Sequence, residues 1–224
     1  MVLALSLFVS FVGSLVALRV IPGEGFAYPH PTPTATSPRT ERKSLLIVAG
    51  FASVPVLAWL TGATDEILLI STGLGCVLLI LALIDLRSFV LPDVLTLPLA
   101  LAGLGISLLG LTGPLLQHGV AMICGALFVI VLNLCYSHVR GQQGMGMGDA
   151  KLLAAAGAWT GIEGLLSTLM IGCAAGLLAA AGMALRSGDP LRGDMMLPFG
   201  PALALGFWMT WLFGPVALLL PGVR

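Results

Sequence analysis

Residues 144–161 read GMGMGDAKLLAAAGAWTG, a glycine-rich loop that delivers one carboxylate, Asp149, to the mouth of an apolar helix. Glycines permit backbone angles that other residues avoid and let neighbouring groups approach the main chain closely. The chain around this stretch suits a membrane rather than water. Of its 224 residues, 58% are hydrophobic and 9% charged, with a mean hydropathy of +1.07. Soluble domains carry about 25% charged residues, so this composition specifies an integral membrane protein. An acid at the centre of a membrane helix costs about 3 kcal/mol. Asp149 therefore needs a chemical explanation.

A helix needs about 20 apolar residues to span a bilayer. Apolar runs at 1–21, 44–61, 66–85, 91–110, 118–138, 149–160, 162–185 and 197–220 predict an all-α polytopic membrane protein with about seven to eight transmembrane helices. The sixth run is expected to be short or re-entrant, with Gly161-Ile162-Glu163-Gly164 making the turn after it. Residues 1–18 carry no charge and Arg19 follows them, the reverse of the charge order in a cleavable signal peptide. The segment is expected to be a retained helix that starts outside. Residues 22–43 end in YPHPTPTATSPRTERK, whose prolines and threonines predict a solvated linker. The expected organisation is an N-terminal helix and cytoplasmic linker over 1–43, then a polytopic domain over 44–224.

Basic residues set the orientation. With the N-terminus outside, Arg19, Arg39, Arg42, Lys43, Arg87, Arg140, Lys151, Arg186 and Arg192 all fall in cytoplasmic connections, and only Arg224 is outside. The positive-inside rule favours this arrangement. It also brings Asp85, Asp93 and Asp149 to one membrane face, which played no part in drawing the spans.

The formal net charge of zero offers no basic patch for nucleic acid. Cys76, Cys124, Cys135 and Cys173 lie inside apolar runs without a CxxC pair, and are expected to be small core residues. His30 sits in the linker, while His118 and His138 mark the outer and inner membrane faces, and none has metal-pair spacing. No metal and no cofactor are expected.

Taken singly, each acid has a plain structural reading. Asp85, in IDLRSFVLPD, can pair with Arg87 at the interface. Asp93 follows Pro92 and suits a helix start. Asp149 can cap its helix while Lys151 snorkels to the headgroups. Together they suggest more: two helix ends on one face each carry an aspartate, one of them on a glycine-built loop. Two carboxylates packed together cannot both hold charge cheaply, so they share a proton and titrate as a unit. One can then activate water while its protonated partner polarises a scissile carbonyl.

GMGMGDAKLLAAAGAWTG and IDLRSFVLPDVLTLPL together resemble the signature of the type IV prepilin peptidases, the bacterial GxGD membrane aspartyl proteases. Gly146-Met147-Gly148-Asp149 matches GxGD, and LPFGPALALGFW at 197–208 is similar to a C-terminal PFGP-type segment of that family. The resemblance covers roughly residues 80–210. It implies an aspartic endopeptidase of the inner membrane that removes the short basic leader of type IV prepilins or type II secretion pseudopilins at the cytoplasmic face. It also implies Asp85 and Asp149 as the catalytic pair, with Asp93 as a supporting acid and Lys151 tuning or orienting Asp149. Arg87 and Arg140 would counter the local negative charge. The full-length bifunctional enzymes carry two CxxC pairs in a cytoplasmic domain and N-methylate the new N-terminus. Here the pairs are missing and the 22–43 linker is short, so peptidase activity is expected without methylation.

Two other classes compete. A small proton-coupled transporter or channel subunit would also hold membrane acids, but nearer the bilayer midplane on broken helices. A non-catalytic assembly protein has no need of both aspartates. In each case Gly172, Ala175, Gly176 and 179–182 are expected to be close-packing positions.

Overall fold

The computed structural model describes residues 2, 6, 7, 9, 10, 13, 14, 49, 50, 52–62, 64–140, 146–187 and 198–216. Among them all regular structure is helical. Most of the expected first span, the 22–43 linker and residues 217–220 lie outside the described residues.

A helical segment at 52–60 is followed by five helices: α1 Asp65–Ser88, α2 Asp93–Leu108, α3 Leu115–Arg140, α4 Met147–Ser187 and α5 Gly200–Phe213. Three are long and apolar enough to cross a membrane, over Asp65–Ser88, Leu115–Val139 and Met147–Leu185, while α2 and α5 are shorter apolar helices. The start of α1 carries Asp65 and Glu66 and its last turn Arg87, both favourable to the helix dipole. Pro92 stands at the N-cap of α2 and Asp93 in its first turn, as the sequence predicts.

The chain divides into two compact units, Met1–Leu83 and Ile84–Arg224, with the boundary inside α1. In the first, buried Cys76 packs with Leu79, Ile80 and Leu83, and its sulfur lies 3.6 Å from the Ser10 hydroxyl. The second contains all the acids singled out above.

The second unit is organised by a break in α4. Gly161 has φ 68° and ψ −171°, a region essentially reserved for glycine. The helical ladder cannot pass through it, and the chain turns back. Both halves then flank α3: a Cβ at Gly125 would stand 2.7 Å from the Leu153 carbonyl oxygen and 3.1 Å from Leu165 Cδ1. The expected sixth and seventh runs are thus the two halves, 147–160 and 162–187, and the turn falls where the sequence puts it.

The returning half receives α5. Phe199 meets Gly176, Leu203 meets Gly172, and Thr210 meets Gly164, so the two helices run antiparallel along a stripe of small residues. Gly172 and Gly176 pack as expected, but Gly182 has open space around it and Ala179 is exposed. Ala180 is still buried within that run, which extends past the start of α5 at Gly200.

At the far end from the acids, Trp159 ties three elements together. Its indole N–H donates to the Leu99 carbonyl at 2.7 Å, and its ring meets Phe207 and Trp211 edge to face at 6.4 and 5.2 Å. His118 is buried here, with Nδ1 3.0 Å from the Ala158 carbonyl beside the Gly161 break. It is a packed group at the turn. The cysteine expectation also needs correction: Cys76 is buried, but Cys124, Cys135 and Cys173 are exposed on their helices. An apolar run tells that a thiol is in the membrane, not which side of the helix it occupies.

Candidate active site

The C-terminal turn of α1, the start of α2, the start of α4 and the start of α5 converge at one pole. Asp85 lies one turn inside the end of α1, its carbonyl accepting the Phe89 amide at 2.9 Å. The helix runs past the expected end at 85 because apolar character fades before its hydrogen bonds do. Phe89 leaves it with φ 53°, an uncommon angle for a bulky residue. Leu91 is then turned inward and buried, while Phe89 and Val90 remain exposed.

Asp149 stands in the first turn of α4, where its amide donates to the Gly146 carbonyl at 3.1 Å. The cap position is therefore Gly146, and the Asp149 side chain reaches back to it. The Gly146 amide hydrogen-bonds the Asp149 carboxylate. Gly148 has a different purpose. A Cβ there would stand 2.9 Å from Leu91 Cβ, so only glycine lets the 89–92 connection lie against the start of α4. Of the two glycines of the GxGD stretch, Gly148 thus serves close approach, while Gly146 supplies an amide to the Asp149 carboxylate.

Asp85 is 6% exposed and Asp149 8%, and the two carboxylates are close enough for their charges to repel. Each buried acid costs a few kcal/mol, against a whole-protein stability of about 5–15 kcal/mol. Such a pair is expensive as architecture. It is useful as chemistry, because two adjoining carboxylates share a proton and offer a base and an acid side by side.

A third element completes the setting. The Gly200 amide donates to Asp85 Oδ2 at 3.1 Å from the first turn of α5. Gly200 lies within the LPFGPALALGFW segment, yet its contact was not legible there: a missing side chain has meaning only once its neighbour is known.

Lys151 reaches Asp93, forming an ion pair that links the start of α4 to the start of α2. Its immediate partner is therefore Asp93, rather than the Asp149 expected from the resemblance. Both members are partly exposed, and such pairs contribute about 0.2–1 kcal/mol. Arg87 is exposed on the last turn of α1. Arg140 closes α3, and its side chain lies outside the described residues, as do Gly144 and Met145. Among the described residues no group of three or more His, Cys, Asp or Glu could hold a metal ion.

Residues 72–181 match the type IV leader peptidase family, a stretch that contains Asp85, Asp93, Asp149 and Lys151. A Burkholderia pseudomallei (strain 1026b) protein named prepilin leader peptidase/N-methyltransferase is 42% identical over 151 residues, 67% of this chain and 48% of the relative. Proteins of the same name from Aeromonas salmonicida (strain A449) and Pseudomonas putida are 38% and 37% identical. They align over 62% and 71% of this chain, and over 47% and 54% of their own lengths. The chain thus spans about half the length of the curated relatives it matches. No solved structure matches it.

Proposed function

Because the chain belongs to the type IV leader peptidase family, we propose that it is a membrane aspartic endopeptidase. Its substrates would be type IV prepilins or type II secretion pseudopilins, each cut just after a short basic leader at the cytoplasmic face of the bacterial inner membrane. The observation that carries the reading is the burial of Asp85 and Asp149 at one pole, close enough for their charges to repel.

In this mechanism the pair holds one proton. The ionised carboxylate takes a proton from water as the oxygen attacks the scissile carbonyl, and the protonated one donates to the carbonyl oxygen. Proton return to the leaving amine completes hydrolysis, with no covalent intermediate. Gly146 would leave room for an extended substrate backbone beside Asp149. The apolar helix of the precursor would lie among the spans of the 44–224 domain, about seven to eight in all counting residues 1–21. Lys151, Asp93, Arg87 and Arg140 support the site from its rim. Methylation of the product is not part of the proposal, because the four cysteines form no CxxC pair.

The test is processing of a synthetic prepilin precursor by the purified protein in lipid, with mass spectrometry reading the new N-terminus. Asp85→Asn and Asp149→Asn, each nearly isosteric, should lower turnover by roughly a thousandfold or more while the protein still inserts. Undiminished cleavage by either variant removes that residue from the pair. A methyl group on the product would contradict the expectation of peptidase activity alone.

A further inference from the structure

We propose that the Gly200 amide is the positioning group for the Asp85 carboxylate, which makes the Phe199-Gly200-Pro201 turn part of the active site. The turn lies beyond residue 181, where the family match ends. The catalytic role of the contact rests on the peptidase reading above; the contact itself does not.

Three observations carry it. Gly200 opens α5, where the first amides of a helix have no partner within the helix. Pro201 has no N–H, and the Leu203 amide returns to the Phe199 carbonyl at 3.0 Å. The Gly200 N–H is thus a free donor at the positive end of the helix, and it bonds Asp85 Oδ2 at 3.1 Å. Finally, the position has room for nothing else. A Cβ on Gly200 would stand 2.6 Å from Asp85 Oδ2 and 2.8 Å from Cγ. Gly200 is not among the positive-φ glycines, so close approach, and not backbone freedom, is what requires glycine here.

A hydrogen bond to one carboxylate oxygen fixes the plane of the group. The other oxygen, Oδ1, is then held in a set direction for water or for the proton shared with Asp149. The donor comes from the backbone of a helix anchored elsewhere, so it cannot swing away as a side chain would.

The test has two parts. Gly200→Ala is assayed against the synthetic precursor, with Gly105→Ala, a helix glycine with open space around it, as the control. Gly200→Ala should lower kcat roughly 10- to 100-fold with KM changed by less than about twofold, while the control matches wild type. An unchanged kcat overturns the positioning role. Independently of how well Gly200→Ala folds, the contact is also read directly by labelling Phe carbonyl carbon with 13C and Gly nitrogen with 15N. This selects only Phe199–Gly200 and Phe213–Gly214 in the chain. Asp85→Asn should move the Gly200 amide proton upfield and leave Gly214 in place. A stationary Gly200 resonance overturns the contact. If wild type cleaves no precursor while Gly200 still moves, the peptidase reading falls and the contact stands.

Discussion

At the scale of single residues, the site is made as much by absent side chains as by present ones. In the proposed mechanism Asp85 and Asp149 supply the chemistry, while Gly148 and Gly200 supply the space in which neighbouring segments reach them. Leu91 fills the room that Gly148 leaves. Gly148→Ala should therefore overpack this contact by about 1–3 kcal/mol, lowering both the thermal midpoint and peptidase turnover. Adding Leu91→Ala should recover part of the loss, although Leu91→Ala alone costs about 2–5 kcal/mol as a buried truncation. Strict additivity of the two would show that the residues do not press on one another. This scale also divides what the chain discloses by itself from what it withholds. The aspartates are legible because a carboxylate in an apolar run is rare and costly. Gly200 and the Lys151–Asp93 pair are not, because each depends on a partner far away in sequence.

At the scale of elements, the central event is the Gly161 break that folds α4 back on itself. The apolar run from Leu152 onward cannot disclose a turn by hydropathy, since both halves are equally apolar. The Gly161–Gly164 quartet discloses it by backbone chemistry. Gly161→Ala would force a side chain onto φ 68° and ψ −171°, at a cost of about 1–3 kcal/mol. Thermal unfolding in detergent should register that loss as a lower midpoint. An unchanged midpoint would mean that the break does not depend on glycine. The boundaries of two long runs were legible to within a few residues, 66–85 becoming Asp65–Ser88 and 118–138 becoming Leu115–Arg140, whereas the 197–220 run yields only Gly200–Phe213, ended by Gly214 at φ 81°. Apolar composition marks the lipid-matched part of a helix, and hydrogen bonding carries it further at each end.

At the scale of the whole molecule, the distribution of basic residues predicts that the Asp85 and Asp149 pole faces the cytoplasm. A cysteine-free version carrying Ser88→Cys should react with a membrane-impermeant maleimide only from the cytoplasmic side, and one carrying Thr112→Cys only from the opposite side. The reverse pattern would invert the topology. Charge counting can supply that orientation, but it cannot supply the meeting of Asp85 with Asp149, which depends on how α1, α4 and α5 pack. The aromatic cluster around Trp159 has a mechanical consequence for that meeting. It grips α5 at Phe207 and Trp211, while the other end of the same helix holds Asp85. From Trp211 to Gly200 the helix is a lever arm of about 16 Å. A tilt of about 5° about Trp159 would part the Gly200 amide from the carboxylate by about 1.4 Å, and the packing of Leu203 on Gly172 and of Gly206 on Thr168 opposes that tilt. The aromatic clamp at one end of α5 thus helps to hold the alignment of Asp85 at the other.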